Sequence, residues 1–540
     1  MKYCFYFLLL FSTITTSQAQ VFNIEDFGAV ANSGKLNTTF IQAAIDSAES
    51  LGGGTVLIPK GVFMSSTIFL KDNITLEIAL GGTLKGADKT KQYPETKTTT
   101  IRSFGDTYPQ RSLIFAEGKH NITLKGEGTI DGNGLALDFL INKDDKPFGI
   151  RFISCTNVLY EGLTLKNSGF WMMHNLNCDS VTFRNIQIIN HSFGNNDGIS
   201  IDGCRNVLVE NCNVDSNNDP LVIKTMSIDA IAENIEVRNC KFATYSRAIK
   251  VGSETFAAVK NVYVHDCEVN YSKKGPLGAN FPGNCGILLS IVDGGSLDNV
   301  KIENIKIEGV NTPILIRLGD RAKQYSDTIP PLPAGSLQNI LLQNLQIIAA
   351  TNITSSITGI PDHLLKNIQL KNIEIEIPGA GKVLDPSFIV PENISGKPEH
   401  DMFGNDLPSY GLFVRHVDGL DIGNVCISTK KPDLRPELFF EDTANVNIKE
   451  CGFVTSIKSS SYIGTKLYPN PISDILHIQL DQEIKDATFS ILDLNGRVIK
   501  SFELQGKDIT LDLKNIIEGF YLIQISNASG ILSAGKFYKR

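Results

Sequence analysis

Three short runs carry the residues best suited to chemistry: Asp197-Gly-Ile-Ser-Ile201, Asp219-Pro-Leu-Val-Ile223 and Arg247-Ala-Ile-Lys-Val251. Each opens on a polar residue, continues with a small residue or Pro, and then places apolar residues at alternate positions, the pattern of a half-buried strand. They recur after 22 and then 28 residues, about one coil of a parallel β-solenoid. Equivalent residues on neighbouring coils stack roughly 4.8 Å apart. Asp197, Asp219 and Arg247 therefore fall in one row, with Asn196, Asn218 and Ser246 in the next. Two carboxyls one rung apart repel, so one is pushed toward its protonated form while the other stays ionised. A proton donor beside a carboxylate is the equipment of glycosidic hydrolysis. The row can equally be an ion-pair network that holds the coils together.

The outward positions of the same strands give Ser200, Val222 and Lys250, then Asp202, Lys224 and Gly252. Arg247, Lys250 and Lys224 would thus surround the acids, ready to bind a carboxylate or sulfate on a sugar. Asn195 and Asn218 join them as candidate substrate contacts. Asp202, Glu254 and Asp293, a few residues beyond the row, are alternative proton donors. Trp171, the single tryptophan, reads as core rather than a sugar platform, and His174 and His191 as satisfied structural histidines.

These strands belong to a long repeat. Asn followed by Val or Ile and alternating residues returns at Asn73, Asn121, Asn157, Asn206, Asn234, Asn261, Asn299, Asn339, Asn367 and Asn445, with Ser180 in the same role. A coil cannot bury its apolar side alone, and stacking supplies the partner. The asparagines are expected to stack at turns, where their amides satisfy backbone groups. Near the start, Asn37 to Ala48 has helical apolar spacing, suited to capping the open end of a solenoid. Polar insertions at Thr90 to Ser112, Ser326 to Gly335 and Glu392 to Asp406 are expected to shape the binding face.

With 540 residues, 42% of them hydrophobic, the chain can bury a large core. A net charge of −8 with no basic stripe argues against nucleic acid as partner. Residues 1–19 read as a secretory signal: Lys2, an apolar stretch from Phe5 to Phe11, and Ser17-Gln-Ala19 before the cut. Cys155, Cys178, Cys204, Cys212, Cys240 and Cys267 fall one or two per coil and read as small buried hydrophobes. No Cys/His set has zinc spacing, and Gly52 to Gly54 lack the helix and Lys-Ser/Thr of a phosphate loop, so neither metal nor cofactor is expected. After a Ser-rich linker at 456–465, residues 466–540 read as a small β-sandwich with a hairpin turn at Asn495-Gly496.

Two resemblances add to this. Tyr468-Pro-Asn-Pro471, Gly496-Arg-Val498, Gly519-Phe-Tyr521 and the Lys-Phe ending resemble the C-terminal sorting domain of type IX secretion substrates in Bacteroidetes. That implies the type IX machinery as a partner, export across the outer membrane and removal of this domain. The body, 20–455, resembles glycoside hydrolase family 28, the polygalacturonases and rhamnogalacturonases. The likeness rests on Asp26-Phe-Gly-Ala29, Gly118 to Asn133, Asn167-Ser-Gly-Phe-Trp171, Asn195-Asn-Asp-Gly198, Asn218-Asp219 and Arg247 to Ser253. It implies an all-β right-handed parallel β-helix and inverting cleavage of uronic-acid-rich polysaccharide. The family's Asn-Thr-Asp falls on Asn195-Asn196-Asp197. Its Asp-Asp falls on Asn218-Asp219, its His-Gly on Arg247-Ala248, and its Arg-Ile-Lys clamp on Leu288-Leu289-Ser290. The resemblance makes the first Asp of the pair the proton donor, and Asn218 cannot donate in that way.

The expectation is a secreted, monomeric hydrolase of an acidic, uronic-acid-containing plant or algal polysaccharide or its oligosaccharides, sulfated or not, with Asp197 and Asp219 dividing the acid and base roles. One alternative is a β-helix lyase with Ca²⁺ on the aspartates and Arg247 as base. The other is a non-catalytic carbohydrate-binding solenoid.

Overall fold

A computed structural model describes residues 20–142, 144–192, 194–273, 281–384, 388–449, 451, 465–493, 497–527 and 530–540. The expected signal at 1–19, nearly all of the linker and the Asn495-Gly496 turn lie outside the described residues.

From Val21 to Lys449 the strands pair in parallel, coil on coil. One coil shows the rule. Met173–Leu176 (β1), Asp179–Arg184 and Gln187–Asn190 lie on three faces of the solenoid. They pair residue for residue with Ile199–Asp202 (β2), Arg205–Glu210 and Asn213–Ser216 of the next coil. Leu221–Thr225 (β3) and Arg247–Thr255 (β4) continue the first face, and Gly283–Ile291 (β5) follows. Alternate residues point inward, so Val181 and Phe183 stack on Val207 and Val209, then on Ile235 and Val237. The result is one continuous apolar core from Phe22 to Ile427.

The asparagines mark the corners. Asn121, Asn157, Asn206, Asn234, Asn261 and Asn299 all have φ between 54° and 57°, the left-handed region that Asn tolerates better than most residues. Their amides donate from coil to coil: Asn121 to Asn73 at 2.7 Å, Asn157 to Asn121 at 2.7 Å, Asn234 to Asn206 at 3.1 Å, Asn261 to Asn234 at 3.0 Å and Asn299 to Asn261 at 2.8 Å. The six repeated cysteines are buried free thiols. Cys426 and Cys451, which the repeat does not predict, form a disulfide.

Helix α1, Thr38–Ser50, buries Ile41, Ala44, Ile45 and Ala48 against the first strands. The C-terminal strands, from Thr465–Tyr468 to Gly530–Lys539, are antiparallel with their own core of Ile478, Phe489, Ile523 and Phe537. Their hydrogen bonds join all five into a single sheet, not the two of the expected sandwich. The register of Ile475–Leu492 shifts between Gln479 and Ile484 and again before Ala487. Such irregularities bend a strand, so one bent sheet can enclose a small core.

Candidate active site

The site is built on β2, β3 and β4 and on the turns that lead into them. The pairing sets Ile199 beside Leu221 and Leu221 beside Ile249, so Asp197, Asp219 and Arg247, each two residues earlier, fall in one row. The Asp197 turn is held by buried amides. Asn190 Nδ2 and Met172 N–H both donate to the Asp197 carbonyl at 2.9 Å. Asn196 donates to the Ser168 carbonyl at 3.1 Å and accepts from Ser192 N–H at 3.1 Å. At Gly198 a side chain would meet Val214 at 2.4 Å and the Pro220 carbonyl at 2.5 Å, so the turn closes only on glycine.

Asp197 and Asp219 are nearly inaccessible, at 1% and 2% exposure, but their surroundings differ. Asp219 Oδ2 accepts from Lys250 Nζ at 2.6 Å; its Oδ1 accepts from Ser246 Oγ at 2.9 Å and lies 3.8 Å from Arg247 Nη1. Burial alone would raise this carboxyl, yet Lys250 and Arg247 outweigh it and hold the group well below the usual carboxylate range. Asp197 Oδ1 accepts from Asn218 Nδ2 at 2.7 Å, and Lys224 Nζ lies 3.7 Å from its Oδ2. Here burial prevails: desolvation, reinforced by the charge of Asp219, pushes Asp197 up to about 6 against the pull of Lys224. The two aspartates thus separate into a group that holds its proton up to about pH 6 and one that stays ionised, the division that acid–base cleavage requires.

Asn218 bridges them, donating to Asp197 and accepting from Ser246 Oγ at 2.8 Å. Lys224 lies 3.8 Å above the ring of Trp171. Phe170 stacks parallel to that ring at 5.1 Å, Tyr108 meets it edge-on at 5.6 Å, and Trp171 is only 5% exposed, so it is packed as core. Asn195 stands exposed at the turn with φ 52°.

The three alternative donors are placed differently. Asp202 is fully buried, accepting from Met226 N–H at 2.8 Å and bonded to His174 Nε2 at 3.0 Å. Asp293 is buried beneath the guanidinium of Arg321. Glu254 sits between Arg321 at 3.6 Å and Lys323 at 3.3 Å. Burial would raise it, but Lys224, Lys250, Lys323 and Arg321 bring it down to about 2, so it holds no proton to give at neutral pH. His191 Nε2 is bonded to Asp215 at 2.7 Å, but its Nδ1 is buried with no hydrogen-bond partner among the described residues, so the expected satisfied histidine is only half satisfied.

The insertions contribute further residues. The Thr90 to Ser112 segment supplies the wall at Tyr108, and Phe104 N–H donates to the Met226 carbonyl at 2.7 Å. Arg321 and Lys323 precede the Ser326 to Gly335 segment and ring Glu254. The polar stretch from Glu392 to Asp406 brings Glu399 against the Arg247 guanidinium and Lys397 beside it. Its polarity was the only sequence signal, because no repeat fixes its register. Leu288, opposite Lys250, is buried with Cys285, Leu315 and the partly buried Met402 of the same stretch. Ser290 is buried on the Val251 carbonyl.

A parallel β-helix agrees with the family comparison. The sequence pattern of glycosyl hydrolases family 28 matches residues 52–389, more than half of the chain. The chain belongs to glycoside hydrolase family 28. A probable polygalacturonase of Vitis vinifera is 23% identical over 385 residues, 67% of this chain and 75% of that protein. An exo-poly-alpha-D-galacturonosidase of Dickeya chrysanthemi is 36% identical over 131 residues, 23% of this chain and 21% of that one. In fold, the family 28 enzyme resembles the exopolygalacturonase of Thermotoga maritima, with a TM-score of 0.55 at 21% identity, covering 74% of this chain and 92% of that one. It is a glycoside hydrolase, and residues 466–538 match the secretion system C-terminal sorting domain, which directs it through type IX secretion to the cell surface or beyond.

Proposed function

We propose that this glycoside hydrolase cleaves a uronic-acid-containing polysaccharide, or oligosaccharides from it, with inversion. Asp197 is the proton donor and Asp219 the carboxylate that orients and activates water. The observation that carries the reading is the row of two buried carboxyls on successive coils, ringed by Lys224, Lys250 and Arg247. The names of the relatives, polygalacturonase and exo-poly-alpha-D-galacturonosidase, favour a galacturonate polymer among the uronans. Arg247 and Lys250 occupy the place where an acidic sugar would bring its charge, and an arginine fork suits a carboxylate or a sulfate. A calcium-dependent lyase fits less well, because the carboxylate oxygens a cation would need face lysine and arginine. Closure of the N-terminal end of the solenoid by α1 belongs to the same proposal: its buried face covers the first strands, as terminal caps of repeat proteins do.

The test is product release from pectic, rhamnogalacturonan and ulvan-type uronans, sulfated and not, by the wild type, Asp197→Asn and Asp219→Asn. Each variant should lose about two or more orders of magnitude in kcat, the usual scale for acid–base help. Either variant retaining full activity removes the assignment.

A further inference from the structure

After the strand Leu365–Gly379 the chain leaves the solenoid and returns at Leu412. Residues 388–411 of this excursion are fastened from below by two fully buried arginines. Arg317 Nη2 donates to the carbonyls of Glu392 at 2.8 Å and Asn393 at 3.0 Å. Arg415 donates to those of Val390 at 2.8 Å and Pro391 at 2.9 Å. Thr312 Oγ1 adds a bond to the His400 carbonyl at 2.9 Å. Buried guanidiniums used in this way fix a loop by its backbone and leave its side chains free for other work.

What the fastening delivers is Glu399. Its carboxylate sits between the guanidinium of Arg247 and Lys397 Nζ, the latter at 2.5 Å. Arg247 is 8% exposed and also touches the Asp219 side of the row, so Glu399 occupies the cationic edge of the acid pair. Even so, Arg247 is not saturated: its Nε is buried without a hydrogen-bond partner. Glu399 itself is 31% exposed and Lys397 55%, so the contact opens to water at one side. Ion pairs that wet contribute little net stability and exchange readily. Partial burial, and after it the charges of Arg247 and Lys250, draw the Lys397 ammonium down to about 8.

We propose that Glu399 is a tethered occupant of a carboxylate subsite formed by Arg247 and Lys397, which a substrate uronate enters by displacing it. The inference rests on the uronan reading above and adds a specificity-determining residue to it. A uronate carboxylate has the same planar group as Glu399 and can take the same arginine fork. The exchange replaces one carboxylate by another, so the cations keep a partner while Glu399 turns to water. A neutral sugar offers nothing in return, so Glu399 stays and the subsite stays shut. Discrimination then comes from what a wrong ligand fails to replace.

The experiment uses the full-length protein, wild type, Glu399→Gln and Glu399→Asp. Calorimetric titration with D-galacturonate and D-glucuronate is run beside D-galactose and inorganic sulfate, and turnover is measured on uronan oligosaccharides. Removing an occupant present most of the time should tighten uronate binding by about five- to tenfold. The KM for acidic oligosaccharides should fall more than kcat changes, with galactose unaffected and Glu399→Asp returning toward wild type. Uronates binding Glu399→Gln no more tightly than wild type overturns the proposal, as does a gain for sulfate alone. If Glu399→Gln does not fold, Glu399→Asp with its shorter reach must show a smaller shift in the same direction, and its absence is equally decisive. Uronate binding that depends on Glu399, without turnover of any uronan, removes the hydrolytic reading and leaves this one. Turnover with no effect of Glu399 removes only this one.

Discussion

Asn218 decides how the acid pair behaves, because its amide reaches both halves. It donates to Asp197 at 2.7 Å and accepts from the same Ser246 hydroxyl that donates to Asp219. With Asp197 pushed up to about 6 and Asp219 held ionised, the pH dependence has a definite sign. The donor must be protonated, so kcat/KM should be full below pH 6 and fall about tenfold per unit above it. The limb set by Asp219 should lie below the ordinary carboxylate range, so a pH–rate profile from 3 to 9 should show the descending limb above 6 and no acid limb. Asn218→Asp replaces a donor with a third acid in the same pocket. Like-charge repulsion should then raise the Asp197 limb above 6, while loss of the amide that bridges the pair and repulsion of an acidic substrate should lower the plateau of kcat/KM on the natural uronan by about one order of magnitude. Polygalacturonate activity should not appear through this change, since Leu288 and Ser290 stay buried and uncharged where the family's clamp would stand. A variant more active than wild type on either substrate would show that the amide is a loss and not an adaptation.

Among the elements, the corner asparagines do the same work in coil after coil, and this makes their energetics predictable. Asn234 has φ 56°, donates to Asn206 and accepts from Asn261. Asn234→Ala removes both ladder bonds and places an alanine in the left-handed region. It should cost about 1–3 kcal/mol, whereas Asn234→Gly, which keeps the conformation, should cost less. Chemical denaturation followed by circular dichroism orders the two; alanine equal to glycine would refute a conformational role for Asn234. This ladder was legible in the sequence because a period of one coil repeats the same local requirement many times. The register of β2, β3 and β4 was legible for the same reason, and with it the row of Asp197, Asp219 and Arg247. Glu399, Lys397 and Arg321 were not, because they arrive on segments outside the period. A loop's position depends on distant anchors such as Arg317 and Arg415, whose burial the local sequence does not announce. The Cys426–Cys451 bridge and the single C-terminal sheet escaped for a related reason: each depends on a pairing made once, with no repetition to reveal it.

At the scale of the whole molecule, two cores divide the labour. The solenoid core ends at Ile427, and the C-terminal sheet has its own, from Ile472 to Phe537. All of the acid row, its cations and the Glu399 excursion lie within the solenoid, while the sorting domain match begins at residue 466. A sheet that encloses its own core and supplies no residue to the acid row can be removed without opening the active site. Export through type IX secretion gives a reason for that removal, since the tail has then served its purpose. The mature extracellular protein should therefore begin near Gln20 and end before about Leu467, a loss of the last 74 residues by count of the sequence. Intact-mass measurement of secreted material from the native host gives both ends. Its kcat/KM on uronan oligosaccharides should lie within about twofold of the full-length chain, because none of the described residues of the sheet stands among the acids or the cations that pair with them. A secreted protein that keeps Arg540, or a shortened one that loses most of its activity, would mean that the tail belongs to the working enzyme.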